Sequence, residues 1–587
     1  MTDSRPRLGP IAALVLVVSG LLLPITAPPL GLYGLHLLLL APPMTLLSRL
    51  GGRSAWLGGW LYGAAASAGI FWWLVPTIDR FTALGAVGGL AVLALFGLAF
   101  GLFGAVFGWG ARGVRAASGP LWPVGLAAWA LACEFLNPQL FPYSHGATFF
   151  QVPDVFLLSA LTGVSGVSFL VLLTNGLVAA AWERWRSDGD AALQAGHALR
   201  RSLPLVLAAW VLGVGYAHHR HGVVQAAMED GPSARFALVQ TNTDEERLHA
   251  MVKEDKASPE RDLVALTRQA LEMDPTIDIV VWPEGAIRGS LKAKRRRAIL
   301  DLAAEHDVEI WSGILERRGP KGARTRHNGA YRIQPDRTWS APYDKNILVP
   351  FGEYMPLVRY LPFLSSIRSF RALYAGDAPA VLTGGKAPPA GFLVCYEATR
   401  FRYVRRTVRA GAEVLGTVTF DGWFGDTNAL DLHMLMAATL SAATGRPHVR
   451  AATTGISMAT GADGVLIGKA GRVERTWVSM DVPLAAVPAP YVVLGDWVAW
   501  LCVACGFGLA ARGRREWMRA PAQRDVRQRL RGVALPILFL GAATVAWAID
   551  RGAPAGDLVA WGVALGSIGW LVVGGRDLPS REPQGGP

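Results

Sequence analysis

The sequence predicts a polytopic helical membrane domain joined to a layered α/β domain. Three observations predict it. Charged residues make up 17% of the 587 positions and hydrophobic residues 52%, whereas soluble domains carry roughly a quarter charged residues; the mean hydropathy is +0.31. Apolar runs of the ~20 residues needed to cross a bilayer recur through the first 220 residues. From 221 to 487 the pattern changes to short apolar runs alternating with charged amphipathic segments, as strands and helices in layers require.

In chain order, crossings are expected near 8–27, 30–48, 55–75, 84–110, 120–137, 155–182 and 203–219. The start is basic and then apolar, as in a signal peptide, but further apolar runs follow at once, so Leu8–Thr26 is read as a retained first span. Little more than Pro28-Pro29 separates the first two spans, which makes them a tight hairpin. Arg5 and Arg7, Arg49 and Arg53, Arg112 and Arg115, and Arg184, Arg186, Arg200 and Arg201 occupy every second connection. By the positive-inside rule the N-terminus is then cytoplasmic and seven spans leave the chain outside. The same clustering reads the net charge of +13 as a topology signal rather than a nucleic-acid face. The outer loop Asn137–His145, with Tyr143, is rich in proline and aromatics; it either lines a substrate entrance or anchors the loop at the bilayer surface.

In the middle region, 236–240 and 277–282 read as strands with a helix over 256–273 between them, followed by a helix at 291–306 and strands near 308–316 and 328–334. Pro488-Ala489-Pro490 closes this region. A span at 491–511, a basic loop from Arg512 to Arg531, and spans near 533–549 and 556–574 complete ten crossings with both termini inside. The expected division is 1–220 membrane domain, 221–487 outer catalytic domain and 488–587 C-terminal membrane region.

The chemistry centres on Gly391-Phe392-Leu393-Val394-Cys395-Tyr396-Glu397. An apolar β-forming run delivers a cysteine where the strand stops. Cys133, Cys502 and Cys505 all lie in long apolar segments, so Cys395 is the one thiol of the polar middle. It is a candidate nucleophile, or else a small buried hydrophobe. Two more strand-like runs end in reactive residues: Val280-Val281-Trp282-Pro283-Glu284, and Tyr343-Asp344-Lys345 leading into Leu348-Val349-Pro350-Phe351-Gly352-Glu353-Tyr354-Met355-Pro356.

Glutamate, lysine and cysteine in that order resemble the nitrilase (carbon–nitrogen hydrolase) superfamily. The preceding spans, the Lys345–Pro356 string, Asp421-Gly422-Trp423-Phe424-Gly425-Asp426, Gly445-Arg446-Pro447 and Thr454-Gly455-Ile456-Ser457 resemble its apolipoprotein N-acyltransferase family. The resemblance covers the chain to about residue 511. It implies an α-β-β-α sandwich, a Glu284, Lys345, Cys395 triad supported by Glu353, Tyr396 and Glu397, and substrate contacts at Trp423, Phe424 and Tyr143. It also implies a multi-pass protein of the bacterial inner membrane whose catalytic domain faces the periplasm. An acyl chain would pass from a membrane phospholipid to Cys395 as a thioester, then to the α-amine of a diacylglyceryl apolipoprotein. A monomer is expected.

The roles also follow from the residues. A thiol attacks carbonyls as thiolate and needs a base. Glu284, shielded from water, suits proton transfer. Lys345 faces the oxyanion, and Glu353 holds Lys345 charged and oriented. Leu357–Tyr374 is read as an apolar arm that dips into the interface and gates lipid entry. No metal-ligand spacing appears among the 11 histidines and no phosphate loop is present, so no metal or cofactor is expected.

The chain departs from the family pattern at Phe420-Asp421, where Asn-Asp is usual. It also departs at Ala443, at Ala452-Thr453-Thr454, at Tyr143 in place of tryptophan, and near His249 where a tryptophan is missing. The last two spans are extra to the family. These changes leave the triad in place and bear on the acceptor. The alternatives are a membrane-tethered amidase, an acyltransferase for a different amine, and a non-catalytic lipoprotein-binding membrane protein.

Overall fold

The computed structural model describes residues 7–519 except 82–83, 138–140, 244, 256–257, 292–295, 321–322, 351 and 355–372. The crossings expected near 533–549 and 556–574 lie outside the described residues, as does nearly all of the apolar arm.

The N-terminal region is helical: α1 (Pro10–Leu21), α2 (His36–Leu39), α3 (Ala41–Arg49), α4 (Gly52–Ile70), α5 (Leu74–Phe81), α6 (Gly85–Ser118), α7 (Trp122–Leu136), α8 (Pro153–Phe156), α9 (Ser159–Thr162), α10 (Val164–Arg186) and α11 (Gly189–Asp230). Among the described residues, Gly85–Leu136, Val164–Arg186 and Gly189–Asp230 are long and apolar enough to cross a membrane, and the bent pair α4–α5 makes a fourth candidate. Within the first stretch α6 and α7 fold back on one another, and Trp129 Nε1 donates to the Phe107 carbonyl at 2.9 Å.

α4 and α6 pack through glycine. A Cβ at Gly59 or Gly104 would overlap the facing backbone carbonyl of the other, so these two backbones touch as small-residue helix pairs do in lipid.

The crossing expected at 30–48 is not one helix. Pro28, Pro29, Gly31, Pro42 and Pro43 break it into a 3-10 turn followed by α2 and α3. Asn175 of α10 satisfies the broken backbone: its Oδ1 accepts from Leu40 N at 2.9 Å and its Nδ2 donates to the His36 carbonyl at 2.8 Å. Such repair by a neighbouring helix is what the bilayer demands. The expected boundary at 220 falls inside α11, which runs unbroken to Asp230.

Among the described residues the α/β region holds twelve strands: β1 (Ser233–Gln240), β2 (Ile279–Arg288), β3 (Glu309–Arg318), β4 (Thr325–Ile333), β5 (Tyr343–Asp344), β6 (Val381–Leu382), β7 (Ala390–Val394), β8 (Val414–Thr419), β9 (His448–Ala452), β10 (Met458–Thr460), β11 (Leu466–Lys469) and β12 (Thr476–Pro483). They form two six-stranded sheets, ordered β12-β1-β2-β3-β4-β5 and β11-β10-β9-β8-β7-β6. β1–β2–β3 and β7–β8–β9 are parallel, and the outer pairs are antiparallel. The helices here are α12 (Glu245–Glu254), α13 (Ser258–Met273), α14 (Arg297–Glu305), α15 (Phe401–Arg409) and α16 (Asn428–Thr444), followed by α17 (Pro490–Leu494) and α18 (Trp497–Arg519).

Strand alternation makes the layers. Phe236, Leu238, Ile279 and Val281 meet Phe392, Val394, Val414 and Val418 between the sheets. Ala237, Val239, Val280 and Trp282 turn to Leu263 and Leu266 of α13 and Leu302 of α14. Leu393 and Leu415 turn to Tyr403 and Val404 of α15 and Leu440 of α16. The fold is therefore an α-β-β-α sandwich.

One ion pair is sealed in this sandwich. Arg332 and Glu309 have no exposure to water; Arg332 Nη2 donates to Glu309 Oε2 at 3.1 Å and to the Ala387 carbonyl at 2.9 Å. Removing one partner strands a buried charge. Arg332→Ala is expected to lose about 3–5 kcal/mol of stability, read as a lowered thermal midpoint in detergent, and Glu309→Gln in the same chain is expected to recover part of the loss.

Candidate active site

Glu284 leaves its sheet through an irregularity. The pairing of β2 with β3 shifts between Trp282 and Ile287, so residues 283–286 bulge off the ladder. Gly313 of β3 lies against the bulge: a Cβ there would sit 2.6 Å from Glu284 Cα. Glycine alone admits the bulge. Glu284 Oε1 accepts from Asn328 Nδ2 at 2.6 Å and Oε2 accepts from Phe420 N at 2.8 Å. Burial raises this carboxyl above its ordinary range, against the pull of Lys345, Asn328 and the Phe420 N–H.

Lys345 follows β5 and has no exposure. Its backbone N–H donates to the Asn328 carbonyl at 2.8 Å. Its Nζ donates to Glu353 Oε1 at 2.7 Å and lies 4.0 Å from Glu284 Oε1. Glu353 Oε2 accepts from Val349 N at 2.8 Å, which aims the carboxylate. Burial disfavours the ammonium, but Glu353, Glu284 and Cys395 outweigh it and hold the proton more firmly than usual.

Cys395 ends β7 and starts a 3-10 turn, Cys395–Thr399. It holds φ at +52°, a left-handed conformation that costs a side-chain-bearing residue about 1–3 kcal/mol and persists where its surroundings over-determine it. Glu397 supplies that constraint. This fully buried carboxyl accepts from Val394 N at 2.8 Å, Asn346 N at 2.7 Å, Ile347 N at 3.0 Å and the Tyr343 hydroxyl at 2.6 Å. It ties the cysteine turn to the lysine loop. Burial pushes Glu397 up to about 7, opposed by these donors. The Cys395 thiol is also raised, by burial and then by Glu284, against the pull of Lys345, so at rest it keeps its proton.

Beneath the thiol lies a buried polar group. Asp421 Oδ1 accepts from Thr419 Oγ1 at 2.8 Å and lies 3.0 Å from His433 Nδ1; its Oδ2 accepts from Arg450 Nη2 at 2.6 Å. His433 Nε2 is 3.4 Å from the Cys395 carbonyl oxygen. Burial would raise Asp421, but Arg450 and His433 outweigh it and keep it ionised. The sequence reading named Asp421 without a role and missed His433, Arg450, Asn328 and Gly313. The signals were present: Arg450 interrupts the apolar strand His448–Ala452 and His433 the buried helix α16.

Tyr396 turns to the membrane region. Its ring meets Phe141 edge-on at 5.4 Å, and Phe141 meets Phe424 at 5.8 Å, as Trp73 does at 5.1 Å. Phe424 and His433 border a small cavity of about 10 Å³ with Trp73, Phe141, Tyr143 and Met436. Tyr143 also lines a larger cavity of about 130 Å³ among membrane helices, beside Met44, Tyr62, Phe103 and Glu134. Its hydroxyl lies 3.2 Å from Thr26 Oγ1, so Tyr143 joins the cavities rather than the charged cluster. Trp423 packs on Phe420 at 5.9 Å. Among the described residues no group of His, Cys, Asp and Glu is arranged to hold a metal ion.

This arrangement places a carboxylate with raised affinity for protons, a buried ammonium and a strained thiol around one point, next to apolar space. Gly313→Ala must displace the Glu284 bulge; if Glu284 serves the thiol as a base, a shift near 1 Å is expected to slow reaction of Cys395 with an activated ester by about 10²-fold, with the thermal midpoint showing whether the fold persists. Asn328→Ala removes a hydrogen bond that favours ionised Glu284. A base works only when ionised, so the acidic limb of the pH profile for reaction of Cys395 with an activated ester is expected to move to higher pH.

The carbon–nitrogen hydrolase family matches residues 235–489, and the apolipoprotein N-acyltransferase N-terminal domain matches residues 19–177. An apolipoprotein N-acyltransferase of Geobacter metallireducens is 30% identical over 525 residues, covering 87% of this chain and 96% of that protein. One from Methylococcus capsulatus is 28% identical, covering 86% of this chain and 97% of the relative, and one from Bdellovibrio bacteriovorus is 28% identical, covering 62% and 67%. Likeness of that extent, across both the helical and the α/β regions, means that the chain belongs to the apolipoprotein N-acyltransferase family.

Proposed function

We propose that this protein moves a fatty acyl chain from a membrane phospholipid to the N-terminal amine of diacylglyceryl-cysteine lipoproteins, with Glu284, Lys345 and Cys395 as the working residues. The observation that carries the mechanism is the 4.0 Å approach of the Lys345 ammonium to Glu284, beside a thiol whose ionisation both residues influence. Glu284 takes the Cys395 proton as the sulfur attacks the ester carbonyl of the donor. Lys345 faces the negative charge that develops on the carbonyl oxygen. Collapse returns the proton to the leaving alkoxide and releases a lysophospholipid. The acceptor amine then attacks the thioester, Glu284 takes its proton, and the thiol is restored.

The aromatic junction of Tyr396, Phe141, Phe424 and Trp73 supports lipid substrates, because it opens the site toward apolar space among the membrane helices. Tyr143, Trp423 and Phe424 are the substrate contacts in this reading. Arginines in every second connection favour an orientation with the site on the outer, periplasmic side of the bacterial inner membrane. The chain divides into a membrane region reaching α11, the sandwich, and a C-terminal membrane region.

The test is acyl transfer in vesicles that contain phospholipid and a diacylglyceryl-cysteine peptide. A triacylated peptide and a hydroxylamine-sensitive acyl group on the protein are expected, both lost in Cys395→Ala. Lys345→Met is expected to slow acylation by about 10²–10³-fold. Release of free fatty acid without peptide acylation would show water as the acceptor and defeat the proposal.

A further inference from the structure

α15 follows the cysteine turn directly and is basic on one side. Arg402, Arg405, Arg406 and Arg409 fall at spacings of three, four and seven residues, which puts them on one helical stripe. Tyr403, Val404, Thr407 and Val408 form the buried face. Arg402 Nε donates to Asp496 Oδ2 at 3.4 Å. Four guanidinium groups on one side of a nine-residue helix concentrate positive charge there.

The surroundings say what faces that charge. Arg402 lies over the ring of Phe135 at 5.0 Å, and Phe135 meets Trp500 edge-on at 5.2 Å. Phe135 is near the end of α7 and Trp500 near the start of α18, so the stripe sits at the end of two apolar helices where an aromatic belt marks a bilayer interface. Arg409 donates to the Val492 and Val493 carbonyls at 2.7 and 2.6 Å, and the Arg405 guanidinium rests near the Tyr491 ring at 5.7 Å. Beside them, Val493 is 72% exposed, and Leu494, Trp497, Trp500 and Leu501 are exposed apolar side chains. Apolar side chains next to arginines form a surface that fits hydrocarbon below and phosphate above.

We propose that the Arg402–Arg405–Arg406–Arg409 stripe binds the phosphates of anionic phospholipid headgroups and seats the sandwich on the bilayer. Guanidinium groups pair with phosphate oxygens in a fork geometry, and basic residues close to a charged leaflet gain from its surface potential. The exposed Val493 and Leu494 enter the acyl region, while the arginines take the headgroup layer. The inference concerns lipid selection at a surface and stands apart from the acyl-transfer chemistry.

The test uses the full chain reconstituted in phosphatidylcholine vesicles with spin-labelled phosphatidylglycerol or spin-labelled phosphatidylcholine. The wild type is expected to select phosphatidylglycerol. Arg406 is exposed and, among the described residues, its guanidinium lies over the Tyr403 ring at 5.5 Å, so Arg406→Gln tests charge with little risk to folding. It is expected to lower the selectivity roughly two- to fivefold. The combined Arg402→Gln, Arg405→Gln, Arg406→Gln and Arg409→Gln chain is expected to lose more, and the matching all-lysine chain to keep selectivity. Selection that is unchanged in Arg406→Gln and in the combined variant overturns the proposal, even if those variants bind an acidic peptide less well. Displacement of the labelled lipid by inorganic phosphate at equal concentration overturns it too, since the stripe would then hold a free anion.

Discussion

A lysine ammonium with no contact with water governs this site. An unpaired charge at such depth carries a desolvation cost of several kcal/mol, so the chain around Lys345 is arranged to neutralise it. Glu353 does so directly at 2.7 Å and Glu284 stands at 4.0 Å. Because Glu353 takes the hydrogen bond, Glu284 remains available to the thiol. The pair thereby separates two carboxylates by task, one as a counter-ion and one as a candidate base.

The backbone obeys the same constraint. The bulge at residues 283–286 brings Glu284 in, and Gly313 makes room for it. Glu397 holds the loop after Lys345 and the turn at Cys395 with one carboxyl. This explains how Cys395 keeps a left-handed φ without being glycine: four donors on Glu397 leave the turn little freedom. Asp421, His433 and Arg450 form the floor under the cysteine carbonyl. Asp421 and Arg450 are fully buried, and each has the other within hydrogen-bond distance at 2.6 Å.

The membrane region completes the site from the other side. Its aromatic residues Trp73 and Phe141 reach the sandwich at Phe424 and Tyr396. They surround the charged cluster with apolar surface, which strengthens every electrostatic interaction inside. Glycine contacts between α4 and α6 bring those helices together, and Asn175 stabilises the broken segment before α3. The region is therefore irregular where it meets the site and close-packed behind it.

Much of this was legible in the sequence. Hydropathy marks membrane helices because each segment must satisfy its own backbone in lipid. Short apolar runs mark β1, β2, β3 and β4; Lys345 and Cys395 follow strands as expected, whereas Glu284 stands in a bulge inside β2. The broken crossing at 30–48 was less legible, because composition records that prolines are present but not which neighbour repairs the gap. The continuity of α11 past residue 220 was hidden for the opposite reason: polar residues after the apolar run look like a boundary, yet they extend the helix outside the bilayer. His433, Arg450, Asn328 and Gly313 are far from the motifs in sequence and near them in space. Local residue order singled out the candidate reactive groups; tertiary packing decided which of them are desolvated, paired and strained, because those properties depend on neighbours that only folding brings within a few ångströms.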